Sequence, residues 1–218
     1  MSSTSSLSES AVLAALAPEG GRHDRVDDVT DTATRIMLAA ADAFAERGFH
    51  ATTTRDIASR AGLSPAGVYV HFASKEVLLF ELSRRGHARA RDLLVAASAD
   101  ASSPTEALKA LIGGFSRWHA EHYELGRIVQ FEFRHLSAEH RDAVLSLRKE
   151  IDQVVADVLR DGMATGEFDV EDVPGTALAL LSMAIDVARW YAPDVRRTPA
   201  WIEGAYGDLA VRLVRTQS

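Results

Sequence analysis

The sequence predicts an all-α chain, a small N-terminal group of three short helices followed by a larger helical bundle. Three observations carry this expectation. Apolar residues recur every three or four positions from Thr32 onward, strand-like alternation is nowhere sustained, and side chains able to cap a helix stand directly ahead of the periodic runs at Thr53, Ser64, Ser74 and Ser103. The 218 residues are 47% hydrophobic and 25% charged, enough apolar material for one or two cores, which excludes a disordered tail protein.

The elements follow in order. Residues 1–31 are rich in Ser, Ala and Asp, carry Gly20-Gly21 and hold no sustained period, so they read as a disordered arm. Its Arg22 and Arg25 stand among six acidic side chains, which disfavours a DNA contact. From Thr32, Ile36, Ala40 and Phe44 recur at four-residue intervals with Ala39 and Ala43 filling the stripe, a helix running to Arg47 and stopped by Gly48. Thr53 and Asp56 have the spacing of a reciprocal N-terminal cap for a short helix that turns Ile57, Ala58 and Ala61 inward and ends at Gly62. Ser64-Pro65 supplies a cap and a first-turn proline for a third helix through Val68 and Tyr69. Ser74 opens a fourth, beginning Lys75-Glu76, whose Leu78 and Leu82 continue into a long connecting helix to about Ala97. Ser103-Pro104-Thr105-Glu106 reads as a capping box for a helix through Leu108, Leu111, Ile112, Phe115 and Trp118. Further helical periods cover 128–136, 138–164, 174–191 and 199–216.

No stretch approaches the length of apolar chain a membrane span requires, and cysteine is absent, so a cytoplasmic protein without disulfides or thiolate chemistry is expected. The net charge of −7 argues against a protein that coats nucleic acid by charge alone. Its distribution says more. Residues 32–92 carry nine basic and six acidic side chains, while 1–31 and 93–218 are both acidic.

Inside the basic stretch, two short helices joined by a glycine-containing turn have helix-turn-helix spacing, in which the second helix enters the major groove of DNA. Ser64, Pro65, Ala66 and Gly67 are small enough for close approach to base edges, and the Ala66 methyl suits a thymine methyl. Tyr69, His71 and Lys75 are donors placed for phosphate oxygens, and Thr54 and Arg55 for the opposite strand. As a phosphate contact, Lys75 would contribute to the salt dependence of binding. The run Ile57-Ala58, Ala61-Gly62-Leu63-Ser64, Gly67-Val68-Tyr69, His71-Phe72 and Ser74-Lys75-Glu76, preceded by Arg47-Gly48-Phe49 and Thr52-Thr53, resembles the DNA-binding domain of the TetR family of bacterial transcriptional regulators. That resemblance implies an all-helical homodimer in which residues 32–80 bind operator DNA and 81–218 bind a small-molecule inducer and dimerise. Val70 departs from the family pattern, where a second aromatic or a polar residue is frequent, and this touches operator preference.

The C-terminal part has no catalytic constellation: no phosphate loop follows a strand and no serine sits on a nucleophile elbow. His119, His122, His135 and His140 lack the spacing of a zinc helix, so no metal and no cofactor is expected. The candidate ligand pocket comprises Phe115, Trp118, Tyr123, Phe131, Met163, Met183 and Trp190, with His119, Arg127, Arg134 and Asp186 to orient a head group. Leu178, Leu181, Ile185 and Ala188 form one stripe and Ile202, Leu209 and Leu213 another, expected to pair across a two-fold axis. Arg189-Trp190-Tyr191, Pro193, Pro199, Ile202, Tyr206 and Asp208-Leu209-Ala210, together with Phe131-Glu132 and the helix 145–166, look like the branch of the family that represses fatty-acid and steroid catabolism. Members of that branch leave DNA on binding acyl-CoA thioesters, so an acyl-CoA inducer is implied. A helical enzyme acting on a thioester and a non-regulatory DNA-binding protein are the competing classes.

Overall fold

A computed structural model describes residues 27–215, and within them the chain is helical throughout apart from its connections. The expected arm of residues 1–31 lies largely outside the described residues. Among the described residues, chain contacts give two compact units, 27–86 with 127–144, and 87–126 with 145–215.

In the first unit, α1 spans Asp27–Ala51 and starts earlier than its apolar stripe suggests. Its ladder breaks at Gly48, where φ is 73° and ψ 166°, a backbone state that glycine adopts at little cost. α2 (Thr54–Arg60) opens on the expected reciprocal cap: the Asp56 amide donates to Thr53 Oγ1 at 3.2 Å, and the Thr53 amide donates to Asp56 Oδ2 at 2.9 Å. α3 (Pro65–His71) is capped by Ser64, whose Oγ accepts from the Gly67 amide at 3.1 Å. Ile36, Met37, Phe44, Ile57, Val68, Leu78, Leu79 and Leu82 are buried in this unit.

α4 (Lys75–Ala99) follows, then α5 (Pro104–Glu121) and α6 (Tyr123–Phe131). The expected capping box of α5 forms in half. Ser103 Oγ accepts from the Glu106 amide at 3.2 Å, but the Glu106 carboxylate reaches past Ser103 to the amide of Ser102. The single helix expected over 128–136 is two pieces, α6 and a 3-10 turn Phe133–His135. α7 (Ala138–Thr165), α8 (Val173–Trp190) and α9 (Pro199–Val214) complete the chain. Asp172 and Thr198 cap the last two by accepting from the amides of Gly175 and Trp201.

The second unit is built around Leu94, Leu108, Leu111, Ile112, Phe115, Val155, Leu159, Phe168, Leu180, Leu181, Ala184, Ala210 and Val214. α5 and α9 pack backbone to backbone: a β-carbon at Gly113 would lie 2.6 Å from the Glu203 carbonyl oxygen, and one at Gly207 2.7 Å from that of Lys109.

Candidate functional site

Burial of Val68 and Phe72 orients α3, leaving Ser64, Pro65, Ala66, Tyr69 and Val70 exposed, with Gly67 and His71 partly covered. Tyr69 Oη lies 3.5 Å from Thr54 Oγ1, so the start of α2 and the end of α3 adjoin. The cations nearby differ in availability. Arg60 pairs with Glu46, and Arg47 lies 3.6 Å from Asp56 Oδ1 and 3.5 Å from Glu46 Oε1. Glu46 is held below the usual carboxylate range by its Arg60 hydrogen bond, and Asp56 by its bonds from Thr53. Arg55 is exposed and has no carboxylate partner among the described residues.

Lys75 stands differently from its expected phosphate role. Its Nζ donates to the carbonyl oxygens of Phe49 at 2.7 Å, Thr52 at 2.8 Å and His50 at 3.3 Å, and lies 4.4 Å from the centre of the Phe49 ring. Its three N–H groups are thereby engaged, and the charge closes the carbonyl end of α1.

Sequence reasoning missed the groups that hold this corner from 132–140. Glu132 Oε1 accepts from the Phe49 amide at 3.1 Å, and the His135 ring stacks on Phe49 with centroids 5.1 Å apart. Glu76 Oε1 accepts from the Ser137 amide at 2.8 Å and meets His140 Nδ1 at 2.9 Å. Burial, reinforced by the neighbouring His50, pushes His135 below the ordinary histidine range. No spacing rule links Phe49 to residues more than 80 positions away, so nothing in the pattern announced these contacts.

In the second unit, Phe115, Trp118 and His119 pack edge to face, and His122 stacks on Trp118 with centroids 4.8 Å apart. His119 Nδ1 faces the Phe115 carbonyl at 2.9 Å, and burial pushes this residue down to about 4. Among the other pocket candidates here, Tyr123, Met183 and Trp190 are partly buried, while Asp186 is tied to Arg189 through both carboxylate oxygens. Met163 is 41% exposed, out on the surface of its helix. Arg127, Phe131 and Arg134 fall in the first unit, Phe131 and Arg134 exposed there. A polar pair not anticipated from the sequence joins α4 to α7, with Arg148 Nε donating to His87 Nε2 at 3.1 Å. Among the described residues no three histidine or carboxylate side chains converge as a metal would require.

The dimer candidates separate into two kinds. Leu181, Ala188 and Ile202 are buried in their own unit and are unavailable to a partner. α8 is apolar on more than one side, so a stripe read by spacing mixed its inner and outer faces. Leu178, Leu209 and Leu213 are exposed, Ile185 partly, and Trp201 adds to the uncovered apolar surface.

Comparison with known proteins gives two family matches, "Bacterial regulatory proteins, tetR family" over residues 36–82 and "Tetracyclin repressor-like, C-terminal domain" over 101–214. The HTH-type transcriptional repressor KstR2 of Rhodococcus jostii is 35% identical over 166 residues, covering 73% of this chain and 79% of that protein. A crystal structure of a tetR-family bacterial regulatory protein from Rhodococcus RHA1 superposes with a TM-score of 0.80 at 34% identity, over 86% of this chain and 98% of the other. The ketosteroid transcriptional regulator KstR2 of Mycobacterium tuberculosis superposes with a TM-score of 0.77 at 27% identity, over 88% and 98%.

Proposed function

Because this chain belongs to the TetR family of bacterial regulators, we propose that it is a repressor whose grip on operator DNA is released by an acyl-CoA thioester of lipid or steroid catabolism. It is a ligand-responsive DNA-binding transcriptional regulator, and the observation that carries the reading is the capped helix-turn-helix with its small-residue face on α3 turned to solvent. Residues 32–80 serve as the DNA-binding domain, with Ser64, Pro65, Ala66 and Gly67 at base edges and Thr54, Arg55, Tyr69 and His71 at phosphates. Residues 81–218 bind the inducer and dimerise, and we assign the protein to the cytoplasm and to no enzymatic reaction. Among the described residues no helix is long and apolar enough to cross a membrane.

The kinship with the KstR2 repressors supports the inducer class. In a homodimer the two α3 helices must stand about 34–36 Å apart, or a multiple, to meet successive major grooves. An inducer that binds better to a state with another separation draws the population off DNA by no more than its difference in affinity.

The test is a mobility shift of the full chain on the DNA upstream of its own gene, with and without a panel of acyl-CoAs. A shifted band that one thioester dissolves is expected. Turnover of the thioester would favour the enzyme reading, and equal binding to unrelated DNA an architectural one.

A further inference from the structure

The outer face of α3 is apolar where it is most exposed. Ala66 and Val70 stand four residues apart on one side of the helix, with Tyr69 beside them and Val68 buried on the opposite side. Val70 is 82% exposed and Tyr69 54%, while Gly67 and Ser64 add no bulk that would keep the helix axis away from a groove. The polar groups lie at the edges of this face, Tyr69 against Thr54 and His71 at the last turn.

Neither Ala66 nor Val70 has a side-chain donor or acceptor, so the centre of the face has no hydrogen bond to offer a base edge. The group in the major groove that distinguishes a base pair by apolar contact is the thymine C5-methyl. We propose that Val70, seated beside Ala66, reads thymine methyl groups and thereby sets the operator preference of the bases beneath α3. The proposal rests on the DNA-binding reading above and deepens it, adding a specificity residue on the exposed face of α3.

Replacing thymine by deoxyuridine removes the methyl and leaves every hydrogen-bonding group of the base pair in place. The duplex to use is one selected by the full-length protein from a random pool, then resynthesised with each thymine in turn as deoxyuridine. With the wild-type chain, at least one replacement weakens binding about fourfold, the worth of one methyl-sized group withdrawn from apolar contact. With Val70→Ala, an exposed substitution whose folding is checked by its melting temperature, the all-thymine duplex binds more weakly and that same deoxyuridine has no further effect. The proposal is overturned if no deoxyuridine changes wild-type affinity, or if Val70→Ala suffers the same loss as wild type. In either case a selected consensus would leave the DNA-binding reading standing. A selection that enriches no sequence overturns both.

Discussion

Single residues carry roles here that their type does not disclose. Spacing along the sequence puts Lys75 among the phosphate contacts, yet its ammonium sits on the carbonyl oxygens of Phe49, His50 and Thr52. Lys75→Met is expected to lower stability by about 1–3 kcal/mol, the cost of leaving charge-assisted acceptors without their donor. Its slope of log affinity against log salt should match wild type, whereas Arg55→Ala should flatten that slope by about 0.9 for one lost phosphate. Titrations over a salt series decide this, and a reduced slope for Lys75→Met would return it to the phosphate set. His119 is a second case. Its folded-state pKa, pushed down to about 4, lies below the ordinary value of 6.5, so the unfolded chain takes up the proton first as pH falls. The native state keeps its full advantage above pH 6.5 and loses it as pH drops towards 4. Between pH 7.5 and pH 5 the loss is about 2 kcal/mol. Urea unfolding at the two pH values should show a smaller drop for His119→Gln than for wild type, and equal drops would refute the assignment.

At the level of elements, the close approach of α5 and α9 depends on two glycines whose role in packing no helical period reveals. Gly113→Ala brings a methyl against the Glu203 carbonyl oxygen and should cost about 1–3 kcal/mol as overpacking. Gly204→Ala, on the same α9 with open space around it, should be neutral or gain up to about 1 kcal/mol from helix propensity. Thermal melts of the two variants make the comparison, and similar effects at both sites would mean that α5 and α9 are free to separate. The capped starts at Thr53, Ser64, Ser74 and Ser103 were legible because a cap is a local interaction within four residues. Those at Asp172 and Thr198 have the same chemistry and could have been read from Asp172 and Thr198 standing ahead of Pro174 and Pro199. The break between α6 and the turn at Phe133 has no such marker, because Glu132 is drawn to the Phe49 amide, a partner distant in sequence.

For the whole molecule, Leu178, Leu209 and Leu213 are 63%, 41% and 61% exposed, and we propose that they meet a second copy of the chain across a two-fold axis. The wild-type chain should sediment as a dimer at micromolar concentration and Leu213→Glu as a monomer that keeps its helical circular dichroism but melts at a lower temperature. A wild-type monomer would end the dimer proposal. Leu181→Glu would instead unfold the bundle, because that side chain is 3% exposed inside its own core. What the sequence by itself determined is the helical class, the local caps, the helix-turn-helix and the basic character of residues 32–92 within an acidic chain, since each depends on neighbours a few positions apart. Tertiary structure alone decided which side of each apolar helix faces inward, where the Lys75 ammonium is anchored and how closely α5 meets α9. Those outcomes depend on partners brought together from distant positions, and a linear period records that a helix has an apolar side without recording what it will meet.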